Sequence, residues 1–587
     1  MARFQLTSVA LLALMLASVL PMSAREQEPS PWLEIHSTHF TVITDAGDKK
    51  GKEVALRFEQ MRAVFASLLM RDRLNQSLPL TILAFKSDKT YYQSAPLHEG
   101  QPIRAPGFFV PGEDQNYIVL NLFEEESWRA VAHDFAHMLM NYNYPLVEGW
   151  FDEGIAEYFS SIRVDNRQVE IGGDPELNPL YAQDLLENQT EARNPPKSLT
   201  ELLEGQVWLA VPALFTMKHD TSSYSEGTHH TLFYAQSWIT VHYLLNKKLL
   251  PQTGTYFGLV ENQHLPVDEA IQRAYGMTAA QFDQAVKDYF HSLTPLFAAL
   301  DASKTPNAAP NPAQPYQLPS PVGPEDSAIT TKPVSENDAR ALIDDMRVRI
   351  PERREVALQD LKVLSNSPEP TTQFSFYEKK TKKTDDENAA LVAVVGNEIA
   401  HRSLAWDHLE HGEFDAAAEE MGDAAALSQR DPWIRYYLSV LKYRVSITNH
   451  ADIQGLPNMM QDLRAVLDWY PEFASAYDLL AIARNVGGGS IAAMQAERAA
   501  MQLSPRDEEY VYHLAEIYVE AKKWDAARAL LDRLKSSSNT QVAGEAKEQL
   551  SKLASEQKYG LTAALGPGSQ KLTPQSSPFD VLDQEAA

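Results

Sequence analysis

Val131 to Ser161 reads VAHDFAHMLMNYNYPLVEGWFDEGIAEYFSS. His133 and His137 stand four residues apart, one helical turn, so a helix here sets both imidazoles on one face. Such a pair reaches a single ion at about 2.0–2.1 Å, and a carboxylate from a second helix supplies a third ligand. Glu153, within WFDEGIAEYF, is placed to do so. Trp128, Val131, Ala132, Phe135 and Leu139 recur at helical spacing, which predicts an amphipathic helix, with Glu124, Glu125 and Glu126 at the N-terminal end, where negative charge is favoured. In a chain with 16 histidines the pair alone is a weak signal. The glutamate that follows, with glycine, a small residue and an aromatic pair after it, makes the pattern specific.

HDFAH and WFDEGIAEYF together resemble the gluzincin metallopeptidases, whose HExxH helix is followed by a helix carrying W-x-x-E-G-x-A, and are most similar to the small bacterial peptidase MA-like group. The resemblance implies an α+β metallopeptidase domain, Zn²⁺ held by His133, His137 and Glu153, and Asp134 in the place of the family's general-base glutamate. Aspartate is shorter by one methylene, roughly 1.5 Å of reach, and misplacing a catalytic group by about that much costs on the order of 100-fold in rate. Metal binding survives this change; hydrolysis is expected to be weakened or lost. Glu157, one turn beyond Glu153, is read as accepting a hydrogen bond from a ligating histidine. On the apolar stretch Leu232–Leu245, Tyr234 is a candidate catalytic residue, since a tyrosine downstream of the third ligand stabilises the oxyanion in some gluzincins, and His242 is a second polar candidate. Both also fit as satisfied core groups.

The chain has 587 residues, enough for two to four domains, and its 44% hydrophobic content supports folded cores. Arg3, the apolar run Val9–Leu20 and the small-residue end at Ala24 read as a signal peptide over 1–24, too short in its apolar core for the roughly 20 residues of a membrane span, and point to a secreted or periplasmic protein. No later run is long enough to span, so no transmembrane segment is expected after signal cleavage. The absence of cysteine excludes disulfides and thiolate ligands, so any zinc is held by nitrogen and oxygen. A net charge of -27, spread along the chain, argues against a nucleic-acid partner.

Residues 25–300 are read as the metallopeptidase-like domain. Phe40–Thr44, Pro79–Phe85 and Tyr117–Leu122 predict strands, Val54–Leu69 and Leu232–Leu245 helices, and Val267–Phe290 further helices with Thr278 as an N-cap. Eight prolines between Pro306 and Pro333 mark 301–335 as a linker. Beyond it, Pro471 and Pro505, Ala481 and Ala515, and Ala493 and Ala527 each lie 34 residues apart, with Tyr477, Leu480, Gly488 and Ala500, then Leu514, Tyr518 and Trp524, at the remaining template positions. Leu404, Ala405, Gly412, Phe414, Ala417 and Ala424 fit the same template. This resembles tetratricopeptide (TPR) repeats, at about 398–431, 474–507 and 508–541, in an all-α solenoid over 336–558. The lysine-rich stretch Phe374–Asp386 is expected to be exposed, and 559–587 to be a disordered tail. Three functions compete: a zinc-dependent peptidase with a protein or peptide substrate and a protein partner on the TPR surface; a catalytically weak or inactive metal-binding pseudo-peptidase acting as a TPR interaction scaffold; or an assembly scaffold without metal, which rests on the repeats alone. Because of the proline-rich linker, residues 25–300 and 335–560 are each expected to fold alone.

Overall fold

The computed structural model describes residues 32–125, 127–164, 168–173, 199–204, 207–217, 229–303, 317–320, 322, 328–367, 375–379, 390–428, 430–537 and 539–559. The signal-peptide reading, the disordered-tail reading from Gly560 and most of the proline-rich stretch fall outside these residues.

The first strands among the described residues are β1 (Trp32–His36), β2 (Thr41–Thr44) and β3 (Leu80–Phe85), a short ribbon of β4 (Leu97–His98) and β5 (Gln101–Pro102), and then β6 (Gly107–Val110) and β7 (Asn116–Asn121). Short strands β8 (Arg163–Val164), β9 (Gln168–Glu170) and β10 (Gln317–Pro319) form a second sheet, and β11 (Thr330–Val334) returns to the first, whose order is β11-β1-β2-β3-β7-β6. Its centre, β2-β3-β7, is parallel, and the outer pairs are antiparallel. The central strands are continuous apolar runs because both faces are covered. Ile82, Ala84, Ile118 and Leu120 point to one side, where helix α1 (Asp48–Leu68) and the histidine helix α2 (Ala132–Asn143) pack. Leu83, Phe85, Tyr117 and Val119 point to the other, where Ala339, Ile343, Met346 and Ile350 cover them.

The predicted strands and helices fall where expected, whereas β1, β6 and β11 carry no strong sequence signal. The helix with the histidines begins later than its periodicity suggests. Ser127–Val131 is a 3₁₀ turn carrying Trp128, and the α-helix starts at Ala132. Helix α3 (Gly149–Ser160) carries Glu153, and α4 (His229–Asn246) packs along it. Thr278 caps the helix Ala279–Ser303 reciprocally: its Oγ1 accepts from Gln281 N at 3.2 Å while its own N donates to Gln281 Oε1 at 2.9 Å.

After β11 the described residues are helical, apart from the hairpin β12 (Ser375–Lys379) with β13 (Ala390–Val394), which puts a strand into the stretch expected to be an exposed lysine-rich segment. Helices α5 (Glu336–Arg347) and α6 (Pro351–Ser365) are separated at Pro351, which sits in the first turn of the second. Then come α7 (Glu398–Glu410), α8 (Phe414–Leu427), α9 (Pro432–Thr448), α10 (Leu456–Trp469), α11 (Ala474–Val486), α12 (Ser490–Leu503), α13 (Glu508–Glu520), α14 (Trp524–Leu534) and α15 (Thr540–Tyr559). Helices α11 and α13 begin 34 residues apart, as do α12 and α14. Each helix packs mainly on its sequence neighbours, which makes this part a TPR-like all-α solenoid.

The solenoid does not hang from a free linker. β11 pairs with β1 in register from Trp32–Val334 to His36–Thr330, so the end of the proline-rich segment is an edge of the sheet. Arg349, 3% exposed, donates to Asp114 Oδ1 at 2.6 Å; Tyr437 donates to Asp114, and Tyr117 to Asp345. One hydrophobic core runs from Ile35 through the histidine and glutamate helices to Ala483 in α11. These contacts stand against the expectation that 25–300 and 335–560 fold separately, because α5 supplies one face of the sheet with its cover.

Candidate metal centre

Phe135 fixes helix α2, packing on Phe58 with ring centroids 5.4 Å apart and on Phe40 at 5.9 Å. With that side turned into the core, His133 and His137 face α3. Helix α3 is held by Trp150, stacked on Phe215 at 3.9 Å, and by Phe159 against Phe65. Its glycine has a physical reason: a Cβ on Gly154 would lie 2.5 Å from the Ser237 carbonyl oxygen and 2.6 Å from Val241, so only glycine lets α4 approach this closely.

The result is a triangle. His133 Nε2 and His137 Nε2 are 3.1 Å apart, and Glu153 Oε2 lies 3.5 Å from the first and 3.4 Å from the second. A tetrahedral ion with bonds of about 2.0–2.1 Å has ligand–ligand edges of roughly 3.3–3.4 Å. The three atoms thus stand near the corners of one tetrahedral face, which fits zinc held by nitrogen and oxygen. Side-chain exposure is 7% for His133, 9% for Glu153 and 27% for His137, so the site opens on the His137 side.

Burial opposes charge on His133, yet Glu157, Glu153 and Asp134 outweigh it and push its pKa up to about 9. Burial also opposes charge on Glu153, and His137 and His133 together hold its carboxyl well below the usual range. Asp134 is shifted upward by burial, against the pull of His133 and His137. Glu157 Oε1 lies 3.6 Å from His133 Nδ1, on the ring edge away from the triangle, the position from which a carboxylate orients a ligating imidazole.

Tyr234 is buried on α4, one turn before Ser237, on the face of that helix that meets Gly154. His242 is a core group. Its Nδ1 pairs with the Tyr289 hydroxyl at 2.7 Å and its Nε2 with the Gly172 carbonyl at 2.8 Å, and burial lowers its pKa to about 4, so it is a neutral ring with both nitrogens used. It has no free edge for an oxyanion.

Three residues around the centre escape sequence reasoning. Glu148, at the N-cap of α3, accepts from Trp150 Nε1 at 2.6 Å and from the Tyr256 hydroxyl at 2.8 Å, and burial pushes its carboxyl up to about 7. Asp152, next to Glu153, is held by Arg506 from the turn between α12 and α13, through Nη1 at 2.6 Å and Nη2 at 2.8 Å. Arg506 also donates to Asn141 Oδ1 and the Tyr144 carbonyl, so a solenoid residue grips the end of α2 and the start of α3 together. Glu148 and Asp152 flank the motif, and Arg506 lies more than three hundred residues away; no local pattern announces any of them.

No protein-family model and no curated protein matches the chain. Among solved structures it is similar to a thermophilic TPR protein of Thermus thermophilus (16% identity over 37% of this chain and 99% of that one, TM-score 0.26). It is also similar to PilF of Pseudomonas aeruginosa (14%, 38% and 93%, TM-score 0.25) and to MamA of Desulfovibrio magneticus RS-1 (16%, 36% and 97%, TM-score 0.24).

Proposed function

We propose that the chain is a zinc-dependent peptidase of the gluzincin type, secreted or periplasmic, whose helical repeats receive a protein partner. The observation that supports the metal reading is the His133–His137–Glu153 triangle, with edges of 3.1, 3.5 and 3.4 Å. Zinc held there would supply a Lewis acid that polarises a peptide carbonyl. Asp134, in the place of the general-base glutamate, would accept the proton of the attacking water. Glu157 orients His133, and Tyr234 is the candidate for steadying the developing negative charge. At the edge of the sheet, β6 offers backbone groups to an extended peptide, and Gly107 on β6 lies against the turn that leads into α2.

The shorter acid at Asp134 favours a second reading, a metal-binding pseudo-peptidase in which the repeats carry the function. Zinc content and hydrolysis separate the two. Protein purified without chelator and offered zinc is expected to hold His133- and His137-dependent metal, and Asp134→Glu to leave that metal in place while raising cleavage of casein by roughly 10- to 100-fold. Zinc bound, with wild type and Asp134→Glu both inert over a broad peptide library, would leave the scaffold reading standing. Zinc content unchanged by His133→Ala with His137→Ala would remove both.

A further inference from the structure

A second group of ligand-type side chains converges inside the solenoid. Asp478 on α11, Glu497 on α12 and His513 on α13 are 0%, 0% and 5% exposed, and each presents an atom within 4.8 Å of the others. The three belong to successive helices of two consecutive repeats. His513 Nδ1 meets Asp478 Oδ1 at 2.6 Å, while among the described residues no hydrogen-bond donor reaches Asp478 Oδ2, Glu497 Oε1 or Glu497 Oε2. Acidic neighbours surround the group. Burial first, then Asp478, drives the Glu497 carboxyl pKa well above its ordinary range, with Asp507 adding to the effect. Glu509 is pushed up to about 8 by burial and by Asp507.

A buried carboxylate oxygen with no donor is costly, and three in one place call for a positive centre. A proton on Glu497 donated to Asp478 Oδ2 serves that oxygen, but the other Glu497 oxygen still meets no donor. Against burial, Asp478 and Glu497 hold a proton on His513, whose imidazole pairs with Asp478 Oδ1 and leaves the other three oxygens unserved. A divalent cation that displaces this proton accepts lone pairs from all three side chains and cancels the two carboxylates. An imidazole among the donors favours zinc over magnesium and calcium, and the two carboxylates also suit manganese. We propose that Asp478, Glu497 and His513 form a structural divalent-cation site, of the zinc or manganese class, that ties α11, α12 and α13 together.

The test uses the full chain with His133→Ala and His137→Ala, so that the first centre is gone and its fate cannot confuse the result. This protein is purified without chelator, offered zinc or manganese separately, dialysed and assayed for bound metal and for melting temperature. About one equivalent should remain, and it should fall below about 0.2 when the isosteric Glu497→Gln is added; the metal should raise the melting temperature only in the chain that keeps Glu497. If Glu497→Gln does not fold, as judged by far-UV circular dichroism, His513→Gln answers the same question. Two results overturn the proposal: a folded parent that retains neither metal, which makes the cluster a proton-sharing one, or retention that neither substitution diminishes, which puts the ion elsewhere.

Discussion

Replacing Arg506 by alanine removes four hydrogen bonds at once: two to the Asp152 carboxylate, one to Asn141 Oδ1 and one to the Tyr144 carbonyl. The ion pair is mostly buried, at 12% and 16% side-chain exposure. Breaking a fully buried pair costs about 3–5 kcal/mol, and because both partners here retain some water, a loss of about 2–3 kcal/mol of stability is expected. The second consequence is at the proposed metal site. Arg506 fastens the C-terminal end of α2 to the N-terminal turn of α3, and those helices set the 3.4 and 3.5 Å edges between the histidines and Glu153. Removing a direct partner of a metal ligand typically costs 10- to 100-fold in affinity; Arg506 works through the residue beside Glu153, so about 10-fold, or about 1.4 kcal/mol, is expected. Urea unfolding of the zinc-free protein reads the first effect, and competition with a chromophoric chelator reads the second. A double-mutant cycle with Asp152→Ala should give a coupling of at least about 1 kcal/mol. Arg506→Lys keeps the charge without the fork and should recover less than half of either loss. An Arg506→Ala chain that binds zinc within about twofold of wild type and loses less than about 0.5 kcal/mol would show that the two helices keep their spacing without the solenoid.

Burial raises the folded-state pKa of Glu148 to about 7 from an ordinary value of 4.5, so the folded chain holds this proton more tightly than the unfolded one. Stability should fall as pH rises from about 4.5 to about 7, by on the order of 2–3 kcal/mol from this group, and Glu148→Gln should flatten that part of the urea-stability profile; an unchanged profile would count against the assignment. Gly154→Ala drives a methyl toward the Ser237 carbonyl oxygen at 2.5 Å, backbone that cannot swing aside, and the clash should outweigh the better helix propensity by about 2 kcal/mol net in urea unfolding. A chain of residues 25–300 uncovers Leu83, Phe85, Tyr117 and Val119 and leaves Asp114 without Arg349, so it should aggregate unless residues 328–559 are co-expressed; a cooperative urea transition for the short chain alone would contradict this.

The candidate ligand set was legible because its signal is local. Two histidines at helical spacing and a glutamate in a glycine-marked helix need only the two helices to form, and the 3.6-residue period of each is strong. The 34-residue spacing of small residues was legible for the same reason, since each repeat is a self-contained helix pair. His242 was ambiguous in sequence because an imidazole on an apolar helix reads alike whether it faces a cleft or a carbonyl; only the positions of Gly172 and Tyr289 decide. The edge strands were illegible because β1, β6 and β11 owe their strand conformation to the partners they pair with rather than to their own alternation. β11 even contains Pro333, which an edge strand tolerates where a central one would not.

The union of the two halves follows from long-range pairs that no window of sequence contains, and it alters how the repeats should behave. A free solenoid loses stability repeat by repeat, each depending only on its neighbours. Here the helices up to Ala483 share the core that holds the histidine and glutamate helices, while Ala493, Leu514, Leu531, Val542 and Leu553 form a separate cluster. Fraying from the C-terminus can therefore consume α15 and α14 without touching the histidine and glutamate helices. Arg506, in the turn between α12 and α13, marks where that independence ends, because unfolding that reaches it releases Asp152 and the spacing of the ligand helices with it. The stretch from α14 onward is thus the part of the solenoid able to open while the two ligand-bearing helices keep their spacing, and the turn at Arg506 is the point at which further opening would begin to be felt by Glu153.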